Sequence, residues 1–288
     1  MARATLVKPS LRHDSFNFLT CGHRNMIIAQ ITDLHIMPPG TLLQRRVDTN
    51  QFAAQAVEKL LALNPQPAVL LITGDLVEHG SEAEYRLLLT LLTPLTMPIY
   101  VIAGNHDDRD MLRHVFANHN YLPKSGFLQY AIDDFPVRLI GLDSVIPQHT
   151  GGELCAERLA WLDARLRERP DHATLVFVHH PPFNTGIRHM DDLKLRNGDE
   201  LADVIARHRQ VVRVVSGHVH RAIQSQLAHT LALTCPSTAH QIQFDLGDDA
   251  PVAFILEPAG LMLHVWHNNA MASHTLYTGQ HEGPYLYE

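Results

Sequence analysis

Pro98-Ile99-Tyr100-Val101-Ile102-Ala103-Gly104-Asn105-His106-Asp107 is an apolar, β-branched run that stops abruptly on a glycine and three side chains able to bind cations or move protons. It reads as a buried strand that delivers polar groups at its carboxyl end. Four more runs share this form. Met26–Thr32 ends at Asp33-Leu34-His35, and Ala68–Thr73 at Gly74-Asp75. Thr174–Val178 ends at His179-His180-Pro181-Pro182, and Val211–Val215 is followed by Gly217-His218-Val219-His220. In open α/β sheets the functional site lies outside the carboxyl ends of the strands, where all five clusters fall.

Helical spacing fills the intervals. Val47–Leu63 places Phe52, Ala53, Val57, Leu60 and Leu61 on one side, with Asp48 or Thr49 as N-cap. Ser81 with Glu84 forms a capping box that opens a helix through Leu92. Asp110–Ala117 and Glu153–Arg169 also read as helices, and Phe127–Ile132 and Val137–Leu142 as strands. Strands alternating with helices predict an α/β fold with helix-covered sheet. The segment 181–198 follows a ligand cluster without clear periodicity and is a candidate substrate loop.

After His220 the chain becomes turn-rich: Ala222–Leu227, Leu231–Thr234, Ile242–Phe244, Val252–Leu256 and Leu261–His267 read as short strands. They either continue the sheets or form a small cap. The expected organisation is a disordered extension at 1–25 (with Met26 as an alternative start), a core at 26–221, and C-terminal strands with a cap or dimerisation segment at 222–288.

The net charge of −7 is spread without a basic stripe, which argues against long nucleic acid as partner. Cys21, Cys155 and Cys235 are odd in number and follow no CxxC spacing, so neither a disulfide framework nor a thiolate zinc site is expected. A reducing cytoplasm is the expected compartment. No apolar run approaches the ~20 residues of a membrane helix, and none before Met26 resembles a signal peptide.

Asp33, His35, Asp75, Asn105, His179, His218 and His220 offer carboxylate, amide oxygen and imidazole but no thiolate. That palette suits Mn, Fe, Co or Zn. Asp-x-His and His-x-His put two ligands on one side of an extended chain. Two ions ~3.5–4 Å apart need a bridge, which one carboxylate can supply. Such a pair would lower the pKa of a shared water, with His106, beside Asn105, as the candidate acid–base group. Asp107 is expected to orient His106, or else to cap the following helix.

These motifs resemble those of the calcineurin-like metallophosphoesterases. The resemblance implies a four-layer αββα sandwich and two divalent or mixed-valence ions (Fe, Mn, Zn or Co). It assigns Asp33, His35, Asp75 and His220 to one ion, and Asp75, Asn105, His179 and His218 to the other. His180 would lie behind the ligands or face substrate, and His240 would reach substrate from the cap. Related protein phosphatases carry arginines where His79 and Ala103 stand, and those arginines clamp a monoester dianion. Their absence here favours a monoanionic diester.

Gly104–Asp108, Asp133-Asp134-Phe135, Met190-Asp191, Thr238–Gln241 and Gly283–Tyr287 extend the resemblance to bacterial glycerophosphodiesterases and class III cyclic nucleotide phosphodiesterases. That likeness implies a small phosphodiester as substrate (a glycerophosphodiester or a 3',5'-cyclic nucleotide) and a cap used in homo-oligomer assembly. The rival readings are a phosphomonoesterase, a nuclease, and a non-catalytic scaffold retaining the fold.

Overall fold

The structure, a computed structural model, describes residues 25–287. The expected N-terminal extension therefore lies outside the described residues, except for Asn25.

Alternation along the buried strands sends successive side chains to opposite faces. In Val69–Thr73, Leu70 and Ile72 pack with Ala53, Val57 and Leu60 of helix Thr49–Leu61 and with Tyr85, Leu88 and Leu92 of helix Glu82–Leu92. Val69 and Leu71 turn the other way, into a cluster with Leu139, Leu175, Phe177 and Val215. Strand Thr174–Val178 repeats the pattern. Leu175 and Phe177 face that inner cluster, while Val176 and Val178 meet Leu159 and Leu162 of helix Ala156–Glu168 and Leu201 and Ile205 of helix Gly198–Ala206. Three apolar layers thus separate helix, sheet, sheet and helix, the sandwich expected from the motifs.

The first sheet runs Ala270–Tyr277, Gly260–His267, Met26–Ile31, Val69–Thr73, Ile99–Ile102 in spatial order, the last three parallel. The second runs Ile223–Leu227, Thr230–Thr234, Val211–Ser216, Thr174–Val178, Arg138–Leu142, Tyr130–Ile132, with four parallel strands between antiparallel edges. Helix ends follow their caps: Asp48 accepts from the Gln51 amide, and Ser81 and Glu84 form the reciprocal capping box.

The segment after His220 divides. Ile223–Thr234 extends the second sheet and Gly260–Tyr277 extends the first, while Gln241–Ile242 and Phe254–Ile255 pair only with each other. Segment 181–198 contains the short helix Arg188–Asp191. The Asp191 carboxylate closes the turn before that helix by accepting from the Thr185 amide (2.6 Å), the Thr185 hydroxyl (2.8 Å) and the Gly186 amide (3.0 Å).

Candidate metal centre

Three of the five strands that deliver candidate ligands end in left-handed backbone. Asp33, His35, Asp75, His218 and His220 all occupy the left-handed region, with φ of 50°, 45°, 48°, 69° and 56°. For L-residues this backbone costs roughly 1–2 kcal/mol each, and such outliers persist where surrounding structure over-determines them. The backbone ties here are Asp33 N–H to Gly74 O (3.1 Å), His35 N–H to Asp75 O (3.0 Å) and Gly217 N–H to His179 O (3.0 Å). Gly74, at φ 96°, is required at its position because a Cβ there would strike the His179 ring. The sharp turns turn the strand ends into a bowl whose wall comes from both sheets.

Within the bowl the expected ligands gather in two overlapping sets. Asp33, His35 and His220 form one, with His35 Nε2 3.2 Å from His220 Nε2 and His220 Nε2 3.4 Å from Asp33 Oδ1. His179 lies 3.2 Å from Asn105 Oδ1 and 3.3 Å from Asp75 Oδ2 in the other. Asp75 Oδ2 is also 3.8 Å from His35 Nε2, so this carboxylate stands between the sets. His218 completes the second set. Its ring Nε2 is buried and has no hydrogen-bond partner among the described residues.

The outer hydrogen bonds fix which ring nitrogen points inward. His179 Nδ1–H donates to the Thr73 carbonyl (2.8 Å), His220 Nδ1–H to the His240 carbonyl (3.1 Å) and His35 Nδ1–H to Glu78 Oε2 (2.7 Å). Each Nε2 is thereby left as an acceptor, aimed at carboxylates, an amide oxygen and one another. Converging acceptors repel unless a cation sits among them. The buried carboxylates likewise draw positive charge into the bowl, where protons on His35 and His179 compete with a cation for the same Nε2 lone pairs. Burial pushes Asp33 up to about 6, while for Asp75 the His179, His106 and His35 imidazoles outweigh burial and hold the carboxyl well below its usual range. Burial would lower His35 and His179, yet Glu78 and Asp75 for the first, and Asp75 for the second, raise them to about 9. Burial and then His179 lower His218 to about 3, leaving it a neutral donor of its lone pair. The donor set fits two divalent ions sharing Asp75.

His106 is one-third exposed at the rim of the bowl. Its Nδ1–H donates to the Glu78 carbonyl (3.0 Å) and lies 3.4 Å from Glu78 Oε2, which leaves Nε2 free. Its backbone N–H donates to Asp75 Oδ1 (2.9 Å). Glu78 thus holds both His35 and His106. Sequence reasoning passed over it, although it stands three residues after Asp75 in the same loop.

The expected role of Asp107 needs correction. Its carboxylate turns inward and accepts from the Gly104 amide (2.8 Å), the Leu76 amide (3.2 Å) and the Tyr85 hydroxyl (2.9 Å), making no bond to the His106 ring. A buried carboxylate takes the donors nearest to hand, and here those belong to the loop itself. The helix cap is Asp108, which accepts from the Asp110 and Met111 amides (3.0 and 2.8 Å). His180 is also fully engaged. Its Nδ1 pairs with the Ser144 hydroxyl (2.8 Å) and its Nε2–H donates to the Thr150 carbonyl (3.1 Å), which places it behind the bowl, with one ring nitrogen still within 4.8 Å of donor atoms of His179 and His218. His240 does line it, against the His220 ring (4.5 Å) and Phe254 (5.2 Å). Burial and then His35 lower His240 to about 4.

A cleft of about 490 Å³ opens above the ligands. Leu43, Met190, Leu193, Ile242, Val252 and Phe254 give it apolar walls. Among the described residues no helix is long and apolar enough to cross a membrane.

A helix–sheet–sheet–helix sandwich with this centre at its strand ends defines a metal-dependent phosphoesterase. The family model for calcineurin-like phosphoesterase matches residues 26–222, and the chain belongs to that family. It is 38% identical over 262 residues to a probable glycerophosphodiester phosphodiesterase of Arcobacter nitrofigilis, covering 90% of this chain and 96% of that one. A probable cyclic nucleotide phosphodiesterase of Synechococcus sp. is 39% identical over 218 residues, 76% of this chain and 82% of the relative. In fold alone, a dimetal phosphatase from Danio rerio matches with a TM-score of 0.60 at 12% identity, covering 88% of this chain and 99% of that one.

Proposed function

We propose that this chain hydrolyses small phosphodiesters at a two-metal centre. Asp33, His35, Asp75 and His220 would hold one ion, and Asp75, Asn105, His179 and His218 the other. Two ions so held supply Lewis acidity and a water of lowered pKa. The chain's own groups do the rest. Asp75 keeps the two ligand sets in register, Glu78 fixes the His35 and His106 rings, and the free Nε2 of His106 is placed to protonate the leaving alkoxide.

The diester preference rests on one observation: among the described residues lining the cleft, none is Lys or Arg. At the two positions where a phosphatase would carry arginine, His79 turns its ring onto Glu84 Oε1 (2.7 Å) and Ala103 is buried. A dianionic monoester would lack its bidentate partner, whereas a monoanion with two ester arms suits an apolar-walled cleft. A charge-assisted hydrogen bond is worth about 1.5–3 kcal/mol, or roughly ten- to a hundredfold. At equal metal loading, kcat/KM for bis(p-nitrophenyl) phosphate should exceed that for p-nitrophenyl phosphate by about tenfold or more. A preference for the monoester would replace this reading with a phosphomonoesterase.

The relatives' names support a glycerophosphodiester or cyclic nucleotide as the natural substrate. The exposed Val252, which lines the cleft, and the exposed Phe244, Leu246 and Leu256 of the same C-terminal segment support the expected subunit contact. Free Cys155 and Cys235 accord with a reducing cytoplasm.

A further inference from the structure

Beyond the candidate ligands, Glu78, His106 and His240, the cleft has two uncharged hydrogen-bonding side chains, Gln44 and Thr150. Both are exposed, and neither side chain has a hydrogen-bond partner among the described residues. They come from separate segments, and each is held by structure that its own loop would not need.

Gln44 and Arg45 are consecutive non-glycine residues in the left-handed region, with φ of 48° and 57°. The turn is pinned by Leu43 N–H to Val47 O (2.9 Å) and Val47 N–H to Leu43 O (3.0 Å), with Leu43 and Val47 buried beside Met37 and Ala239. Asparagine and glycine are the residues that take such backbone cheaply, and neither stands here.

Thr150 lies in the hairpin of Val145–Ile146 and His149–Gly152. His180 secures this hairpin at two points, the Ser144 hydroxyl and the Thr150 carbonyl, and Gly152 has no Cβ because the His180 ring fills that space. Gly152 also bonds across to the 194–196 segment, its N–H donating to Lys194 O (3.3 Å) and its carbonyl accepting from Arg196 N–H (3.0 Å). The hydroxyl of Thr150 is therefore presented by a residue adjacent in sequence to the ligand His179.

We propose that Gln44 and Thr150 form the alcohol subsite of the cleft and select phosphodiesters whose ester arm carries free hydroxyl groups. This rests on the diesterase reading above. A neutral amide and a neutral hydroxyl can each donate to or accept from an alcohol, and among the described side chains lining the cleft they are the polar ones left after the candidate ligands, Glu78, His106 and His240. His180 acts here as a positioning residue, through Thr150.

Two chromogenic probes with the same leaving group separate the subsite from the chemistry: glycerol p-nitrophenyl phosphate, with two hydroxyls, and ethyl p-nitrophenyl phosphate, with none. The wild-type protein loaded with Mn should favour the glycerol probe in kcat/KM. Gln44→Leu and Thr150→Val should each cut that preference about fivefold, as for one neutral hydrogen bond, and leave the ethyl probe unchanged. Calorimetric binding of glycerol 1-phosphate against ethyl phosphate should show the same order and the same losses without turnover. If neither probe is hydrolysed, the diesterase reading falls, and the calorimetric comparison still decides the subsite. Equal handling of the two arms by the wild type, or a preference that survives both substitutions, overturns the proposal.

Discussion

At His106 the neighbours decide which nitrogen can act. Glu78 takes Nδ1–H, so Nε2 alone faces the cleft. His106→Ala should keep both metal ions and lose about 10²–10⁴ in kcat on a diester, the usual size of a lost general acid. Turnover near normal would remove His106 from the mechanism. Glu78→Ala frees the His35 ring as well, and metal affinity measured by titration should fall about 10–100-fold. The seven candidate ligands that gather in the bowl stood out in the sequence because divalent ions admit few residue types, and each such residue sat after a strand. Asp107 was misread, and His180 was left between two readings, because adjacency in sequence says little about direction. One carboxylate turned to Tyr85, and one imidazole turned to Ser144.

In the strand Met26–Ile31, Gln30 breaks an otherwise apolar run, and the structure supplies the reason. Its Nε2–H₂ donates to Thr73 Oγ1 (2.9 Å) and to the Ser216 carbonyl (3.0 Å), and its Oε1 accepts from His264 Nε2–H (3.0 Å). One buried amide therefore links three ligand-bearing strands across both sheets, just beneath Asp33, Asp75 and His218. Gln30→Leu strands several buried polar groups and should cost about 2–4 kcal/mol in urea unfolding, whereas Thr73→Ser, which keeps the hydroxyl, should cost under about 1 kcal/mol. Equal losses in the two variants would deny the amide this role. Buried strands showed in the sequence through their apolar continuity. The strand Ala270–Tyr277 did not, because it is a sheet edge with an exposed, mixed composition. Helix Gly198–Ala206 is short and opens on a glycine, which hid the Leu201, Val204, Ile205 spacing.

For the whole molecule, the alternation of strands and helices announced a layered α/β fold, but strand order was not written locally. Gly260–His267 returns from the far end of the chain to pair with Met26–Ile31. That return buries His264, whose ring is lowered to about 3 by burial, with Arg213 and His274 adding to the shift. In the unfolded chain the same ring takes up a proton near 6.5. The unfolded state then binds more protons between about 3 and 6.5, and stability falls as pH drops through that window. From pH 7 to pH 5 this single residue should account for about 2 kcal/mol. His264→Asn, which can still donate to Gln30, should lose that much less stability over the same interval in urea titrations at the two pH values. Identical pH dependence in variant and wild type would count against a neutral buried His264.

The central claim is a pair of ions acting together on a diester, and metal titration tests it most directly. Protein stripped with a chelator is titrated with Mn while bound metal and bis(p-nitrophenyl) phosphate hydrolysis are followed together. Two ions should bind per chain, with hydrolysis rising as the second site fills. Full activity at one ion per chain, or activity indifferent to metal, would contradict it.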